Sequence, residues 1–291
     1  MAAGQRRMLA IGCASDMCVD FILHGNVRPR FKQIEQLIGG YTLEVGGSAN
    51  IFASQFVKLG GSCAVVGAVG GDALGDFLLG ALGRTGVDIT RVRRDPGLKT
   101  GVGAALVDGE DRAILTYTGS IDATRPADLT DALARSVRHW HIASYFLMPR
   151  LRPHWPAWIR RLRTYGATVS LDTNWDPEGR WEGVRELLPL VDVFLPNAEE
   201  ARAITGTADV RKAGAQLAAF GPLIAMKAGG DGALAFQGGR SWSCAVPAAA
   251  RRSLAIVDTI GAGDSFDGGF LRGWLLGRPV AACLKLGIRC G

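Results

Sequence analysis

No run of eighteen consecutive apolar residues occurs in the chain, so no membrane-spanning helix is expected. The apolar stretch at residues 8–13 is too short for the core of a secretory signal. The six cysteines, Cys13, Cys18, Cys63, Cys244, Cys283 and Cys290, contain no Cys-x-x-Cys pair, and with only four histidines no His-rich partner segment exists, which argues against a zinc site. Buried thiols in a reducing, cytoplasmic compartment are the expectation. Pro/Ser-rich linkers, internal repeats and low-complexity tracts are also missing, so residues 1–291 read as one folded unit. A Walker-type Gly-x₄-Gly-Lys-Ser/Thr is absent, and Gly101-Val102-Gly103 lacks both the third glycine and the strand-to-helix setting of a dinucleotide fingerprint. The 33 basic residues outnumber the 27 acidic ones, giving +6, but they fall in short clusters such as 91–94 and 160–163 without interleaved aromatics. Such clusters read as solvated faces, and no nucleic-acid partner is expected.

What the sequence does contain is an alternation. Apolar runs at 8–14, 63–69, 140–143, 168–172, 191–195 and 223–227 lack polar alternation, as strands buried on both faces do. Between them, 48–59, 73–84, 153–165, 210–220 and 262–276 carry helical periodicity. The pattern predicts an α/β fold with a parallel sheet covered by helices on both sides. Two stretches break the rhythm, 21–43 and 100–118. In the second, residues 102–107 and 113–117 flank Asp108-Gly109-Glu110-Asp111 as the arms of a hairpin do, predicting a small β-lid.

The most informative string is Val257-Asp258-Thr259-Ile260-Gly261-Ala262-Gly263-Asp264-Ser265-Phe266-Asp267-Gly268-Gly269-Phe270, a strand-like segment leading through a glycine turn into an apolar helix. Glycines there remove side chains, so backbone N–H groups at a helix start are free to face an anion that the helix dipole favours. Asp264 falls in the first turn beside that cradle, where a carboxylate is placed to take a proton from an attacking hydroxyl. Taken alone, the string fits equally well an aspartate that only complements the dipole after a tight turn.

The string does not stand alone. Asp258-Thr259-x-Gly261-Ala262-Gly263-Asp264, together with Gly46-Gly47-Ser48-Ala49-Asn50, Lys58-Leu59-Gly60-Gly61, Gly67-Ala68-Val69-Gly70-Gly71-Asp72, Gly75 and Arg84-Thr85-Gly86-Val87-Asp88, resembles the two signatures of the ribokinase-like carbohydrate kinases, the PfkB family. Pro196-Asn197-Ala198-Glu199-Glu200 and Lys227-Ala228-Gly229-Gly230-Asp231-Gly232 extend the resemblance over nearly the whole chain. It implies a three-layer α/β sandwich with a mostly parallel central sheet and a small β-sheet lid. The implied activity is phosphoryl transfer from ATP to a hydroxyl of a sugar or sugar-like molecule, with Mg²⁺.

The same resemblance carries roles onto matching positions. Asp264 is the implied catalytic base, and the amides of Gly261, Ala262, Gly263 and Asp264 form the anion hole. Asp20 is the aspartate after the first strand that binds sugar hydroxyls, and Gly46, Gly47 and Asn50 approach the same sugar, although the motif is one residue shorter between Gly47 and Asn50 than in the commonest family form. Asn197 and Glu200, at i and i+3, organise phosphates and magnesium, largely through water. Lys227, Gly229 and Gly232 belong to a glycine loop passing the nucleotide phosphates, and Asp172-Thr173-Asn174 resembles a segment near the transferred phosphate. Asp258, with the carbonyl of Ile260, matches positions that hold a monovalent cation such as K⁺ in several relatives.

His139 and His141 alternate along an expected strand and read as strand or core residues, and Tyr145 is a candidate wall of the sugar pocket. The chain stops at Gly287-Ile288-Arg289-Cys290-Gly291, where family members continue through another helical segment. That shortness sets a sugar-binding protein without turnover beside the enzyme as an alternative. Lid-to-lid pairing of family members implies a homodimer.

Overall fold

The computed structural model describes residues 9–109, 111–247 and 260–291. The first part of the chain runs β1 (Leu9–Ala14), β2 (Cys18–His24), β3 (Gly40–Gly46), β4 (Cys63–Gly70), β5 (Asp88–Asp95), β6 (Gly101–Asp108) and β7 (Asp111–Tyr117). The second part adds β8 (Val137–Ile142), β9 (Thr168–Leu171), β10 (Val193–Phe194), β11 (Leu223–Lys227), β12 (Ala233–Gln237) and β13 (Arg240–Cys244). Among the described residues a nine-stranded sheet has the order β13-β12-β11-β10-β9-β8-β1-β4-β5. Its strands are parallel from β11 through β5, and β12 and β13 continue it antiparallel.

The helices are α1 (Ser48–Lys58), α2 (Ala73–Thr85), α3 (Asp131–Ser136), α4 (Trp155–Thr164), α5 (Val184–Leu187), α6 (Ala198–Thr205), α7 (Val210–Ala218), α8 (Ala262–Leu275) and α9 (Val280–Cys290). The sheet's two faces bury separate apolar clusters. On one side Trp140, Trp155, Trp158, Leu162 and Phe194 pack under α3 to α7. On the other, Ile11, Phe52, Phe56, Leu78, Phe270 and Leu284 pack under α1, α2, α8 and α9. Successive strand side chains point to opposite faces, so β8 sends Trp140 and Ile142 into the first cluster. A fully buried side chain of this size contributes about 1.5–3 kcal/mol, which is why these strands read as unbroken apolar runs.

The expected parallel strands are present, with 191–195 shortened to Val193–Phe194. Charged β5 and polar β13 had no apolar run to announce them, and the short run Ala233-Leu234-Ala235-Phe236 of β12 was not among the expected strands. The stretches 21–43 and 100–118 form part of a second, four-stranded sheet ordered β3-β2-β6-β7, in which β2 and β6 are parallel and the other pairs antiparallel. This sheet begins earlier than residue 21, at Cys18, directly after the turn that leaves β1. The hairpin is present with Asp108 opposite Asp111. Cysteines 13, 18, 63 and 283 are buried and 244 and 290 half-buried, all as free thiols. No helix among the described residues is long and apolar enough to cross a membrane.

Candidate active site

The chain leaves β1 and proceeds outward to β4 and β5, then returns to β8 on the other flank of β1 and proceeds the opposite way. The carboxyl ends of β1 and β8 therefore flank a topological switch point, where open α/β sheets bind ligands. Asp16 lies just past β1 and Ser144 just past β8. Asp16 Oδ2 accepts from the Ser48 amide at 2.9 Å and Oδ1 from the Ala49 amide at 3.1 Å, capping α1 from a distant strand. Gly47, the residue before that helix, has φ 87 and offers no side-chain cap of its own. An added Cβ at Gly47 would sit 2.3 Å from the Asp16 carbonyl, so only glycine permits this approach.

Asp20 projects from the centre of the small sheet into a space left by two glycines. A Cβ at Gly46 would lie 2.6 Å from Asp20 Oδ1, and one at Gly103 only 2.4 Å away. Gly103, which belongs to the pattern that fails as a dinucleotide fingerprint, thus makes room for this carboxylate together with Gly46. Burial, and then the charge of Asp16, push the Asp20 carboxyl up to about 6.

Asp264 occupies the first turn of α8, whose leading residue Gly261 adopts a left-handed φ of 71 and provides no side-chain cap. The amides of Ala262 and Gly263 therefore start the helix without an intrahelical acceptor, a setting that attracts anions. Burial, followed by the neighbouring Asp172 carboxylate, pushes the Asp264 carboxyl up to about 7, while Lys227 and a hydrogen bond from the Ser48 side chain draw it down. One turn along, Asp267 is fully buried. Lys227 Nζ donates to Asp172 Oδ2 at 2.6 Å and approaches both Asp267 oxygens at 3.3 Å. Burial alone would lower the lysine, but the two carboxylates overrule it and hold the ammonium charged. Asp172 is kept ionised by that cation against the cost of burial, whereas burial raises Asp267.

Beside this cluster opens a cleft of about 710 Å³, lined among others by Asn197, Arg202, Arg211, Lys227, Gly229 and Ser243. Asn197 and Glu200 form a capping box at the start of α6: Asn197 Oδ1 accepts from the Glu200 amide and Glu200 Oε2 from the Asn197 amide, each at 2.8 Å. Glu200 is 3% exposed, and burial followed by the Asp172 charge pushes it up to about 7. Asn197 also bridges to Lys227 along the backbone, which seats the capping box against the buried cation. Gly229 has φ 53 with open space around it, and Gly232, at φ 97 and ψ −125, is held against Cys244.

Three expectations are corrected. Asn50 is 0% exposed, and its amide is consumed within the protein: Nδ2 donates to the Gly46 carbonyl at 2.9 Å and Oδ1 accepts from Ser15 Oγ at 2.7 Å. With α1 starting at Ser48, the shortened motif turns Asn50 back onto Gly46, where it braces the glycine turn and presents nothing to a ligand. Lys227 lines the cleft with its stem, but its ammonium is neutralised by Asp172 and Asp267 and is not free for a phosphate. Tyr145 is buried in the core, edge-on to Phe146 and under the Arg152 guanidinium, so it forms no pocket wall. His139 and His141 are core residues as expected, both bonded to Ser170 Oγ at 2.8 Å. Asp258 lies outside the described residues.

Asp16, Ser48, Ser144 and Asp267 are site residues that sequence reasoning missed. Only Asp267 carried a signal, its i+3 spacing from Asp264 on one helix face.

An α/β sheet with a buried carboxylate at an uncapped helix start and a cleft beside the neighbouring strand ends is the arrangement of a small-molecule phosphotransferase. Comparison with known proteins agrees. A model of the pfkB family carbohydrate kinases matches residues 12–291, and the chain belongs to that family. A cytidine kinase of Thermococcus kodakarensis is 35% identical over 133 residues, 45% of this chain and 47% of that protein. An ATP-dependent ribose-1-phosphate kinase of Halopiger xanaduensis is 31% identical over 251 residues, 84% of this chain and 78% of that protein. The crystal structure of adenosine kinase from Sinorhizobium meliloti superposes with a TM-score of 0.86 over 97% of this chain and 92% of that one, at 23% identity, which speaks for the fold.

Proposed function

We propose that the protein transfers the γ-phosphoryl group of ATP to a hydroxyl of a sugar or sugar-bearing molecule, with Asp264 as the base. The observation that carries this reading is the position of Asp264: buried in the first turn of α8, next to the uncapped amides of Ala262 and Gly263, and poised near neutrality. A carboxylate so poised takes up a proton readily at working pH, a contribution of about 10²–10⁴ in rate.

The acceptor sits between the two sheets. Asp20, held by Gly46 and Gly103, accepts hydrogen bonds from its hydroxyls, which favours a polyol over an acid. The nucleotide occupies the cleft beside Asn197 and Gly229, with Arg202 and Arg211 on its lining. As the acceptor oxygen bonds to the γ-phosphorus, its proton passes to Asp264, the bond from that phosphorus to the bridging oxygen breaks, and ADP departs with the electron pair. The Gly261 to Asp264 amides face the negative charge of the transferring group.

Carboxylate oxygens suit magnesium, and Glu200, one of whose oxygens is left by the Asn197 amide, would hold it, largely through water. When bound, the ion neutralises phosphate charge. The buried excess of carboxylates over the single Lys227 cation is what such an ion relieves. The relatives named for ribose 1-phosphate and cytidine are named for ribose-bearing molecules, which supports a furanose-containing acceptor. The small sheet serves as the lid, and the exposed Phe31, Leu37, Tyr41, Ile114, Leu115 and Tyr117 suit it to pair with a second copy.

The test is ADP release from ATP and magnesium across a panel of sugars, sugar acids and nucleosides, with Asp264→Asn alongside. Acceptor-dependent turnover lost in the variant is expected. Acceptor binding without ADP release by the wild type would instead identify a sugar-binding protein without turnover.

A further inference from the structure

Two helix starts border the site, and they are treated oppositely. The start of α8 has no side-chain cap, while that of α1 is filled by Asp16, whose two oxygens take the Ser48 and Ala49 amides at 2.9 and 3.1 Å. The filling carboxylate is itself held in place. The Ser144 hydroxyl donates to Asp16, the Ser144 amide donates to Asn174 Oδ1 at 2.8 Å, and Asn174 Nδ2 donates to Ser48 Oγ at 3.0 Å, which closes a ring of four residues. Ser144 and Asn174 both have left-handed backbone, at φ 50 and 53, which costs on the order of 1–3 kcal/mol each and persists where contacts over-determine it. An anion arriving with the acceptor therefore finds the α1 amides already taken by a fixed negative group.

The register of the small sheet sets a further carboxylate beside Asp20. Asp20 on β2 stands opposite Glu44 on β3 and Gly103 on β6, and Gly103 stands opposite Thr116 on β7. Directly opposite residues share a face, with Cβ atoms about 4.5–5.5 Å apart across an antiparallel pair. One row thus carries two carboxylates, a hydroxyl and the space left by a glycine. The same face meets the turn before α8: Ile260, next to Gly261, packs on Ile22, Ala105 and Val107, farther out along β2 and β6. Like charges set directly opposite each other destabilise a sheet, and no cation of this face is near enough to offset them. Among the described residues its basic side chains are His24 and Arg112, both in the row of Val107. That row lies four residues beyond Asp20 and Thr116, about 13 Å along the strands.

We propose that the acceptor is uncharged, a free sugar or a nucleoside and not a sugar phosphate or a sugar acid, and that Glu44 is a specificity-determining residue that repels the anionic ones. The inference deepens the kinase reading and rests on it. Carboxylates accept hydrogen bonds from the hydroxyls of a neutral sugar, so the row that excludes an anion still holds a polyol. Burial and the Asp16 charge already raise the Asp20 carboxyl, and a further negative group beside it would be opposed in the same way.

The experiment measures ADP release with ribose, fructose, cytidine and adenosine as neutral probes and ribose 1-phosphate and gluconate as anionic ones, in wild type, Glu44→Gln and Glu44→Lys. Calorimetric binding of the same probes runs in parallel. Glu44 is exposed on an edge strand, so both variants should fold, and thermal midpoints check this. The readout is the ratio of kcat/KM for the best neutral probe to that for ribose 1-phosphate. Wild type should favour the neutral probe, and the ratio should fall about tenfold in Glu44→Gln and about a hundredfold in Glu44→Lys. The wild-type ratio should also shrink as ionic strength rises from about 0.05 to about 0.5 M, which a change of packing alone would not produce. An anionic probe that serves the wild type as well as the best neutral one, or a ratio unmoved in both variants, overturns the proposal. Binding of the neutral probes alone, with that selection weakened in Glu44→Lys and no ADP released, upholds the charge selection and overturns the kinase reading. Neither binding nor turnover with any probe overturns both.

Discussion

Lys227 Nζ lies 2.6 Å from Asp172 Oδ2 and, on its other side, 3.3 Å from both oxygens of Asp267, so one ammonium ties the ends of β9 and β11 to the helix that carries Asp264. Removing one partner of a buried ion cluster leaves charge uncompensated and costs about 3–5 kcal/mol. Lys227→Met should lower the urea midpoint accordingly and lift the acid limb of activity, because the cation that draws Asp264 down is gone. Urea unfolding followed by circular dichroism decides it. A loss below about 1 kcal/mol would mean that the cluster contributes little net stability, the range of an exposed pair.

The raised carboxyl of Asp264 makes a second prediction with opposite signs for activity and stability. As a base it must be ionised, so kcat/KM should halve near pH 7 and drop tenfold per unit below. For stability, a group whose folded value, about 7, exceeds its unfolded value near 3.8 stabilises the fold below the unfolded value and loses that contribution as pH rises through 7. Asp264→Asn should therefore unfold at higher temperature than wild type at pH 8.5, by an amount reaching a few kcal/mol, with little advantage at pH 4. Equal midpoints of the two proteins at pH 8.5 would refute the assignment of a strained carboxylate.

Much of this fold was legible because it rests on local pattern. Buried parallel strands show as apolar runs, the Asn197/Glu200 box shows as i, i+3 spacing, and the glycine turn before Asp264 shows as Gly261-Ala262-Gly263. What was hidden is long-range polar pairing. Ser144 reaches Asp16 across 128 positions and Asn174 reaches Ser48 across 126, and single polar residues carry no periodicity to betray such partners. Asn50 and Lys227 were misread for the same reason: their residue types suit a ligand, and only the fold reveals that Gly46, Ser15, Asp172 and Asp267 already occupy them.

Gly103 provides a test of the acceptor site that spares the nucleotide site. A Cβ there would meet Asp20 Oδ1 at 2.4 Å, with no positive φ to add backbone strain. Gly103→Ala should thus displace the Asp20 carboxylate, raising the acceptor KM about tenfold or more, the scale of one lost charged hydrogen bond. KM for ATP should stay within about twofold, since Gly103 is not among the residues lining the cleft beside Asn197 and Lys227. Steady-state kinetics with each substrate varied in turn separates the two. A rise confined to the ATP KM would remove Asp20 from the acceptor site.

Gly232 gives the complementary test. Its φ of 97 and ψ of −125 fall in a region open to glycine, and an added Cβ would sit 2.1 Å from the Cys244 carbonyl, well inside contact distance. The position links β11 to β12 through the turn from Ala228, whose amide donates to the Gly232 carbonyl at 2.9 Å. Relief therefore requires moving either that turn or the end of β13, both of which border the cleft. Gly232→Ala should cost at least about 1–3 kcal/mol in denaturant unfolding. Because the displaced backbone lies beside Gly229, the ATP KM should rise while the acceptor KM holds. If stability falls but both KM values are unchanged, the turn is a structural joint and the nucleotide lies elsewhere along the carboxyl ends of the strands.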